Sequence, residues 1–582
     1  VTYRTNRRRR TGAAVRVGAA LAALALATSA CSGGDDPSGS GDGAEAVDPG
    51  ANPEPQGEPQ QGGSLTVALE GETNGWQPGI SAPSAPGFNV MYSIYDPLVI
   101  GTGEGSFEPY LAESFEPNED FTAWTFTLRE GVTFHDGSAL TADVVAQNVA
   151  VLKEPTSNLA GVLSEVASVA AVDPLTVRYD LARPNAAFPA LLTTTAGMPF
   201  SMENFSALGP EEANAEPVGT GPFVFESWVR DDRLTVTANE SYWGTDLGLG
   251  PYLDEIVFRP IPDEDSRLQS MLSGDVDAFQ TLRESIVGQA QDAAADGEIA
   301  LHTFLGNNGG TTILNTLAAP LDDVRVRQAL AHAADREQLI EVLGGTGITE
   351  PRTQFFTEDS PYYSEAVAEA YPAYDPERAT ELLQEYIDDP ERSDGKAAGE
   401  PVTVQYNCQP DPSLTELAQA YQAFWSNIGV EVAVNSVDQA THIGNAVGSP
   451  ASDPAFAGDY LANCWRTSAE GDPFNILKNE FGPVPLQPLN FTNYTSETLD
   501  EQLAVLATTT DEEARRAAVE EIGLELAENV PVLWVSSTVA AFGVDPAVQN
   551  LSDWQLPGGA DGVGLGLFQG GSTMWGQVWL AE

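Results

Sequence analysis

Apolar and polar residues alternate through Gly62-Gly63-Ser64-Leu65-Thr66-Val67-Ala68-Leu69, the period of a strand with one face buried. The same reading predicts strands over Trp124–Leu128, Leu175–Tyr179, Gly221–Trp228, Leu234–Ala238, Glu255–Ile261 and Val402–Tyr406, with helices between them. After the Glu255–Ile261 strand, Asp263 is placed to cap a helix over Asp265–Leu272, Gly274 to end it, and Val276–Phe279 to begin another strand. That unit is βαβ-like and favours mixed sheets covered by helices.

The later third is more helical. Asp335 with Gln338 forms a capping box ahead of Gln338–Leu343, and Thr510 with Glu513 forms another before a helix ending near Glu528. Asp375-Pro376 supplies an N-cap and a first-turn proline, and a final strand over Val532–Phe542 follows Pro531. No repeat of 20 to 50 residues stands out, which disfavours a solenoid or propeller.

The first 30 residues read differently. Arg7 to Arg10 precede an apolar run of roughly 14 residues that ends in small residues before Cys31, the pattern of an export signal too short to span a bilayer. The segment resembles a bacterial lipoprotein signal, in which Cys31 is lipidated and becomes the new N-terminus; Thr28 stands where that pattern prefers Leu. The alternative is an ordinary cleaved signal followed by an incidental cysteine. Residues 31–62, rich in Gly, Pro, Ser, Asp, Glu and Gln, are expected to be a disordered acidic tether with a reach of about 30 Å. No later window offers 18 uninterrupted apolar residues, so the membrane is expected to be met through the lipid anchor alone.

Charge narrows the partners further. The whole chain has a formal charge of −59, and removing residues 1–30 takes away six arginines and no acids, leaving 20 basic against 85 acidic residues. Nucleic acid is a poor partner for such a surface. The acids are spread along the chain, which suggests general solubility, including in a saline habitat, rather than one cation site.

After Cys31 the chain keeps Cys408 and Cys464, a pair that an oxidising compartment can join. The bridge would close a loop of about 57 residues and stabilise by about 4 kcal/mol on the chain-entropy account; two buried thiols are the alternative. Two distant cysteines and four histidines make a structural metal site improbable, and no cofactor is expected.

Catalytic motifs are missing. There is no phosphate-cradling Gly-x-x-x-x-Gly-Lys-Ser/Thr, no His-Glu-x-x-His and no Gly-x-Ser-x-Gly. His135-Asp136 is the nearest approach to an activating pair, but neighbours on a strand face opposite sides and Asp136-Gly137 reads as a turn. Trp76, Tyr92, Tyr95, Trp425, Trp465 and Trp554 are candidates for a ligand cleft or for the core.

From residue 90 onward the chain resembles the family-five extracytoplasmic solute-binding proteins, the peptide- and nickel-binding receptors of ATP-binding-cassette importers. The residues that carry the resemblance are Val90 to Val99 (Val-Met-Tyr-Ser-Ile-Tyr-Asp-Pro-Leu-Val), Pro109-Tyr-Leu-Ala-Glu-Ser114, Trp124 to Gly137 and Thr141-Ala-Asp-Val144. They continue with Gly219-Thr-Gly-Pro-Phe223, Tyr252-Leu-Asp-Glu-Ile256, and Asp323 to Leu330 leading to Ala333-Ala-Asp-Arg336. The matches keep family order over about 250 residues. Gly-Thr-Gly-Pro is read as a turn, and Arg325 and Arg327, two apart on a helix, as free to pair with acids such as Asp322.

The resemblance implies an α/β fold of two lobes that close on a ligand, the large peptide-binding class of the periplasmic-binding-protein-like fold. Lobe I is expected over 63–312 plus 531–582 with an inserted subdomain, and lobe II over 313–530, with crossovers near Thr311–Asn315 and Val530–Val535. It implies a monomeric binding protein, not an enzyme, that takes a short peptide or similar polar solute and delivers it to a permease with a cytoplasmic ATPase. The competing readings are an exported hydrolase on the same fold and a solute sensor acting through a membrane partner.

Peptide-binding members carry an aspartate, shortly after a tryptophan in the second lobe, that pairs with the ligand's amino terminus. The matching stretch runs from Cys464 to Pro473; Trp465 and Asp472 match, Thr467 or Ser468 falls at the amine-binding place, and Glu470 substitutes if the loop is displaced. Arg466 would favour a ligand carboxylate or phosphate, or else be a lip or intramolecular ion pair. Asn307 and Asn308, just before the first crossover, would donate hydrogen bonds into the cleft, or form a turn with Gly309 and Gly310.

Overall fold

The structure is a computed structural model that describes residues 52–581 apart from 82, 84, 104, 409–411, 438–441, 443–459, 467–470, 484–489 and 567–570. The side chains of 85, 307–310, 412, 413 and 466, and the surroundings of 103, also lie outside the description. Its frame is a ten-stranded mixed sheet built from β1 (Ser64–Leu69), β2 (Phe223–Val229), β3 (Arg233–Ala238), β4 (Glu255–Pro260), β5 (Ala278–Thr281), β6 (Ala300–Leu314), β7 (Thr403–Cys408), β8 (Glu431–Ser436), β9 (Ala462–Arg466) and β10 (Val532–Val544). Their order is β8-β7-β9-β6-β10-β5-β1-β4-β3-β2. A four-stranded antiparallel sheet is formed by Ala112–Pro117, Ala123–Leu128, Thr176–Leu181 and Val166–Asp173.

The alternation at Leu65, Val67 and Leu69 becomes a central strand, with β4 and β5 parallel to β1 on either side. The crossover from β4 to β5 is the predicted helix, Glu264–Leu272, with the Asp263 side chain accepting from Ser266 N–H. The strand that follows begins two residues later than expected, at Ala278. Asp335 and Asp375 cap their helices as expected. The cap of the long late helix is Asp511 rather than Thr510: its carboxylate accepts from Ala514 N–H, a stronger acceptor one residue further on.

The two largest hydrophobic clusters mark two lobes. Lobe I gathers around Leu65, Val67, Tyr95, Phe126, Trp554 and Trp575. Lobe II gathers around Leu330, Val404, Tyr406, Trp425, Cys464 and Trp534. The antiparallel strands β6 and β10 run from one to the other: Ile313, Leu314 and Val532–Val535 belong to the second core, whereas Phe542 and Val544 belong to the first. Their pairing slips between Gly306 and Gly309 and again between Gly310 and Thr311. Asn307 and Asn308 therefore sit in an irregular strand instead of a turn.

Two family-like segments meet in lobe I at Asp96. Its buried carboxylate accepts from Trp243 Nε1–H at 2.9 Å, Thr220 Oγ1–H at 3.0 Å and the Tyr242 hydroxyl at 3.2 Å. Gly-Thr-Gly-Pro is needed there for close approach as much as for turning, because a Cβ on Gly219 would stand 2.2 Å from the Ile94 carbonyl oxygen. Arg325 pairs with Asp323 and Asp389, but Arg327 departs from expectation. It is buried and donates to the carbonyls of Asn529, Leu321 and Asp322, holding the chain just before β10.

The chain preceding β1 is more ordered than its composition predicts. Asn52 makes a two-pronged contact with Thr303 of β6, its Oδ1 accepting from Thr303 N–H at 2.7 Å and its Nδ2 donating to Thr303 O at 3.1 Å. Gln56 N–H donates to Gln549 Oε1 at 2.7 Å. The expected tether of residues 31–62 thus ends in a segment laid against lobe I, and residues 31–51 lie outside the described residues.

Candidate functional site between the lobes

The second-lobe stretch after Trp465 is organised by one helix start. The α1 helix (Pro473–Phe481) has Pro473 in its first turn and Asp472 as N-cap, whose Oδ1 accepts from Phe474 N–H at 2.8 Å. The α2 helix (Glu512–Asn529) contributes Arg515, whose Nη2 donates to both oxygens of Asp472. Arg515 Nη1 also donates to the carbonyls of Leu506 and Thr509. Asp472 is therefore a buried cap and ion-pair partner, which corrects its expected place against a ligand: both oxygens are already engaged.

Lobe I reaches this point through the hairpin Val99–Gly103/Ser106–Pro109. Gly105, at its tip, donates its N–H to Gly471 O. Gly105 has φ 74°, and a Cβ there would stand 2.9 Å from the Tyr362 hydroxyl, so a bare backbone is what fits. Three further contacts join the lobes. Lys478 Nζ meets Glu165 Oε2 at 2.8 Å, Asn475 Nδ2 donates to Ala187 O, and Ala186 N–H donates to Ala507 O.

Trp465 is partly exposed on β9, edge-on to Phe491 with centroids 4.6 Å apart. The His442 ring stacks on it at 5.7 Å and 20°. Cys408 and Cys464 are joined as a disulfide between β7 and β9, with Cα atoms 5.0 Å apart. The other aromatic candidates are interior: Trp76, Tyr92, Tyr95, Trp425 and Trp554 are all buried. Tyr92 and Tyr95, three residues apart on one helical face, turn into the lobe I core, which corrects their expected place in a cleft; the Tyr92 hydroxyl donates to Thr193 O.

The remaining candidates are only partly placed. The backbone of Arg466 is in register with Gly310 of β6, and its side chain lies outside the described residues, as do the side chains of Asn307 and Asn308. Ser468, Glu470 and Cys31 lie outside them entirely. His135 and Asp136 do not act together: His135 Nε2–H donates to Gly221 O, while Asp136 accepts from the hydroxyls of Ser138 and Ser201. Burial lowers the His135 pKa to about 4. Sequence reasoning did not find Glu165, Lys478, His442 or Asn463, because each gains its meaning from tertiary neighbours.

Two lobes spanned by a shared sheet and meeting again across a second set of contacts define a protein that captures a small ligand by enclosing it. The family model described as Bacterial extracellular solute-binding proteins, family 5 Middle, matches residues 106–500, and the chain belongs to that family. Its members are extracytoplasmic binding proteins of transporters rather than enzymes.

The chain is 26% identical over 513 residues to the dipeptide-binding protein of Escherichia coli K12, covering 82% of this chain and 90% of that one. It is 27% identical over 492 residues to heme-binding protein A of Haemophilus influenzae, covering 78% and 84%. Its fold is similar to that of the oligopeptide-binding protein AppA of Bacillus subtilis, solved with a nonapeptide, with TM-score 0.71, 22% identity and coverage of 90% and 100%.

Proposed function

We propose that this chain is the lipid-anchored capture subunit of an importer, taking short peptides between its lobes and handing them to a permease driven by a cytoplasmic ATPase. The observation that carries the reading is the pairing of two continuous strands, β6 and β10, with a separate set of inter-lobe contacts at Gly105–Gly471 and Glu165–Lys478. Strands that run through both cores permit rotation of one lobe on the other, and contacts made when the lobes meet favour the enclosed state.

Peptide is favoured as cargo by the relatives that bind dipeptides and a nonapeptide. With Asp472 committed to Arg515, capture of a ligand's terminal groups falls to the neighbouring stretch of sequence, where Ser468, Glu470 and Arg466 are the candidates. The lobes are taken as 63–312 plus 531–582 and 313–530. Cys31 would hold a monomer at the outer face of the cell membrane, and no covalent step is needed.

The test is thermal unfolding of the protein against di- to hexapeptides, sugars and organic acids. A ligand that binds the folded state alone, at a hundredfold excess over its dissociation constant, adds about 2.7 kcal/mol. The expected result is a raised midpoint with peptides that is lost when their amino terminus is blocked. A rise confined to sugars or organic acids rejects the peptide assignment.

A further inference from the structure

Three strands of lobe II, β8, β7 and β9, run parallel, and Asn435, Asn407 and Asn463 stand in register across the sheet, Asn463 at the second position of β9. Side chains alternate between the faces of a strand. Tyr406, Cys408, Ala462 and Cys464 enter the lobe II core, so the three asparagines stand on the opposite face, together with Trp465.

The asparagines are not equivalent. Asn407 Oδ1 accepts from Asn435 Nδ2 at 3.1 Å and from Gln405 Nε2 at 3.2 Å. Asn463 is 1% exposed, and neither its Oδ1 nor its Nδ2 has a hydrogen-bond partner among the described residues. Beside it, the His442 ring covers Trp465, and its Nε2–H donates to Cys464 O at 2.9 Å. That bond leaves Nδ1 as an acceptor, buried and also without a partner among the described residues. A buried amide left unpaired is costly, and native proteins keep few of them. These three buried polar atoms, without a partner among the described residues, lie beside the stacked ring pair.

We propose that Asn463, with Trp465 and His442, is a lobe II subsite for an amide edge of the ligand. Asn463 Nδ2 donates to a ligand carbonyl and Oδ1 accepts a ligand N–H on the same edge, while His442 Nδ1 accepts from a further donor. This rests on the peptide reading above and adds a residue that reads that edge. Because a single trans peptide unit points its C=O and N–H to opposite sides, the edge is either the N–H and C=O of one extended backbone residue or the primary amide of a glutamine-type side chain.

The experiment is calorimetric titration of the full chain and its Asn463→Leu variant with tetra-alanine and with Ala-Gln-Ala-Ala, alongside thermal melts without ligand. Asn463→Leu keeps the volume and removes both polar atoms. The expected result is affinity weakened about tenfold or more, with an unliganded midpoint equal to or above that of the native protein. Loss on both peptides assigns the backbone edge; loss on the glutamine peptide alone assigns the side-chain amide. His442→Phe, which preserves the stack and removes the acceptor, carries the same expectation.

Native-like affinity in both variants overturns the subsite while leaving peptide capture standing. An unliganded midpoint lowered by several degrees, or failure of Asn463→Leu to fold, shows a structural amide and also overturns it. Absence of binding by the native protein to either peptide removes the peptide reading and the subsite together.

Discussion

Arg515 Nη2 lies 2.8 Å from Asp472 Oδ1 and 2.7 Å from Oδ2, binding a residue that also caps the helix beneath Lys478. Both side chains are almost fully buried. Asp472→Ala strands the guanidinium without its counter-charge and is expected to destabilise by about 3–5 kcal/mol in urea unfolding. Replacing both, Asp472→Leu with Arg515→Met, should recover part of that loss. The remainder is about 1 kcal/mol for the missing N-cap together with the cost of leaving the Leu506 and Thr509 carbonyls without Arg515.

Asp96 gives the protein a pH dependence opposite in sign to that of a salt-bridged carboxylate. Burial, only partly offset by hydrogen bonds from Trp243, Thr220 and Tyr242, raises its pKa from 3.8 to about 6. Between those values the folded chain holds the proton more tightly than the unfolded chain. Its contribution is therefore full below about pH 4, is lost as pH rises to about 6, and is constant above that. The loss amounts to about 3 kcal/mol. Asp96→Asn cannot titrate, so the stability difference between native and variant proteins should narrow by that amount from pH 4 to pH 7 in parallel urea melts.

The Glu165–Lys478 pair spans the lobes and is partly exposed, so its effect on stability is small, about 1 kcal/mol or less. Its effect on ligand affinity is the more telling quantity, since any contact unique to the enclosed state multiplies the competent fraction. Lys478→Glu is expected to weaken peptide binding about three- to tenfold at low salt and less at high salt. The exchange Lys478→Glu with Glu165→Lys should restore it. Unchanged affinity in the single variant would remove the pair from the closure mechanism.

The disulfide closes a chain separation of 56 residues. Cys408→Ala with Cys464→Ala is expected to lower stability by about 4 kcal/mol. Reduction of the native protein should bring its denaturation midpoint toward that of the double variant.

Legibility followed range along the chain. Caps at Asp263, Asp335 and Asp375 were readable because each side chain bonds a backbone N–H three residues away. Thr510, read as the cap of the long late helix, gives way to Asp511 because both residues fit the local rule, which does not say which of them the helix will reach. Tyr92 and Tyr95 resembled cleft residues because an aromatic pair at helical spacing has the same pattern whether it faces a ligand or a core. The pair of Asp472 with Arg515, 43 positions apart, and that of Glu165 with Lys478, 313 apart, exist through tertiary placement. Asn463 had no signal at all, since its distinction is the lack of hydrogen-bond partners among the described residues.

The clasp of Asn52 on Thr303 changes the mechanics of attachment. On the lipid-anchored reading, the leash runs from Cys31 to Asn52, 21 positions and not the whole spacer. At full stretch it spans at most about 75 Å. Fastened to lobe I in this way, such a leash would put any pull from the bilayer on the half that holds Asn52 and leave lobe II to swing without a load.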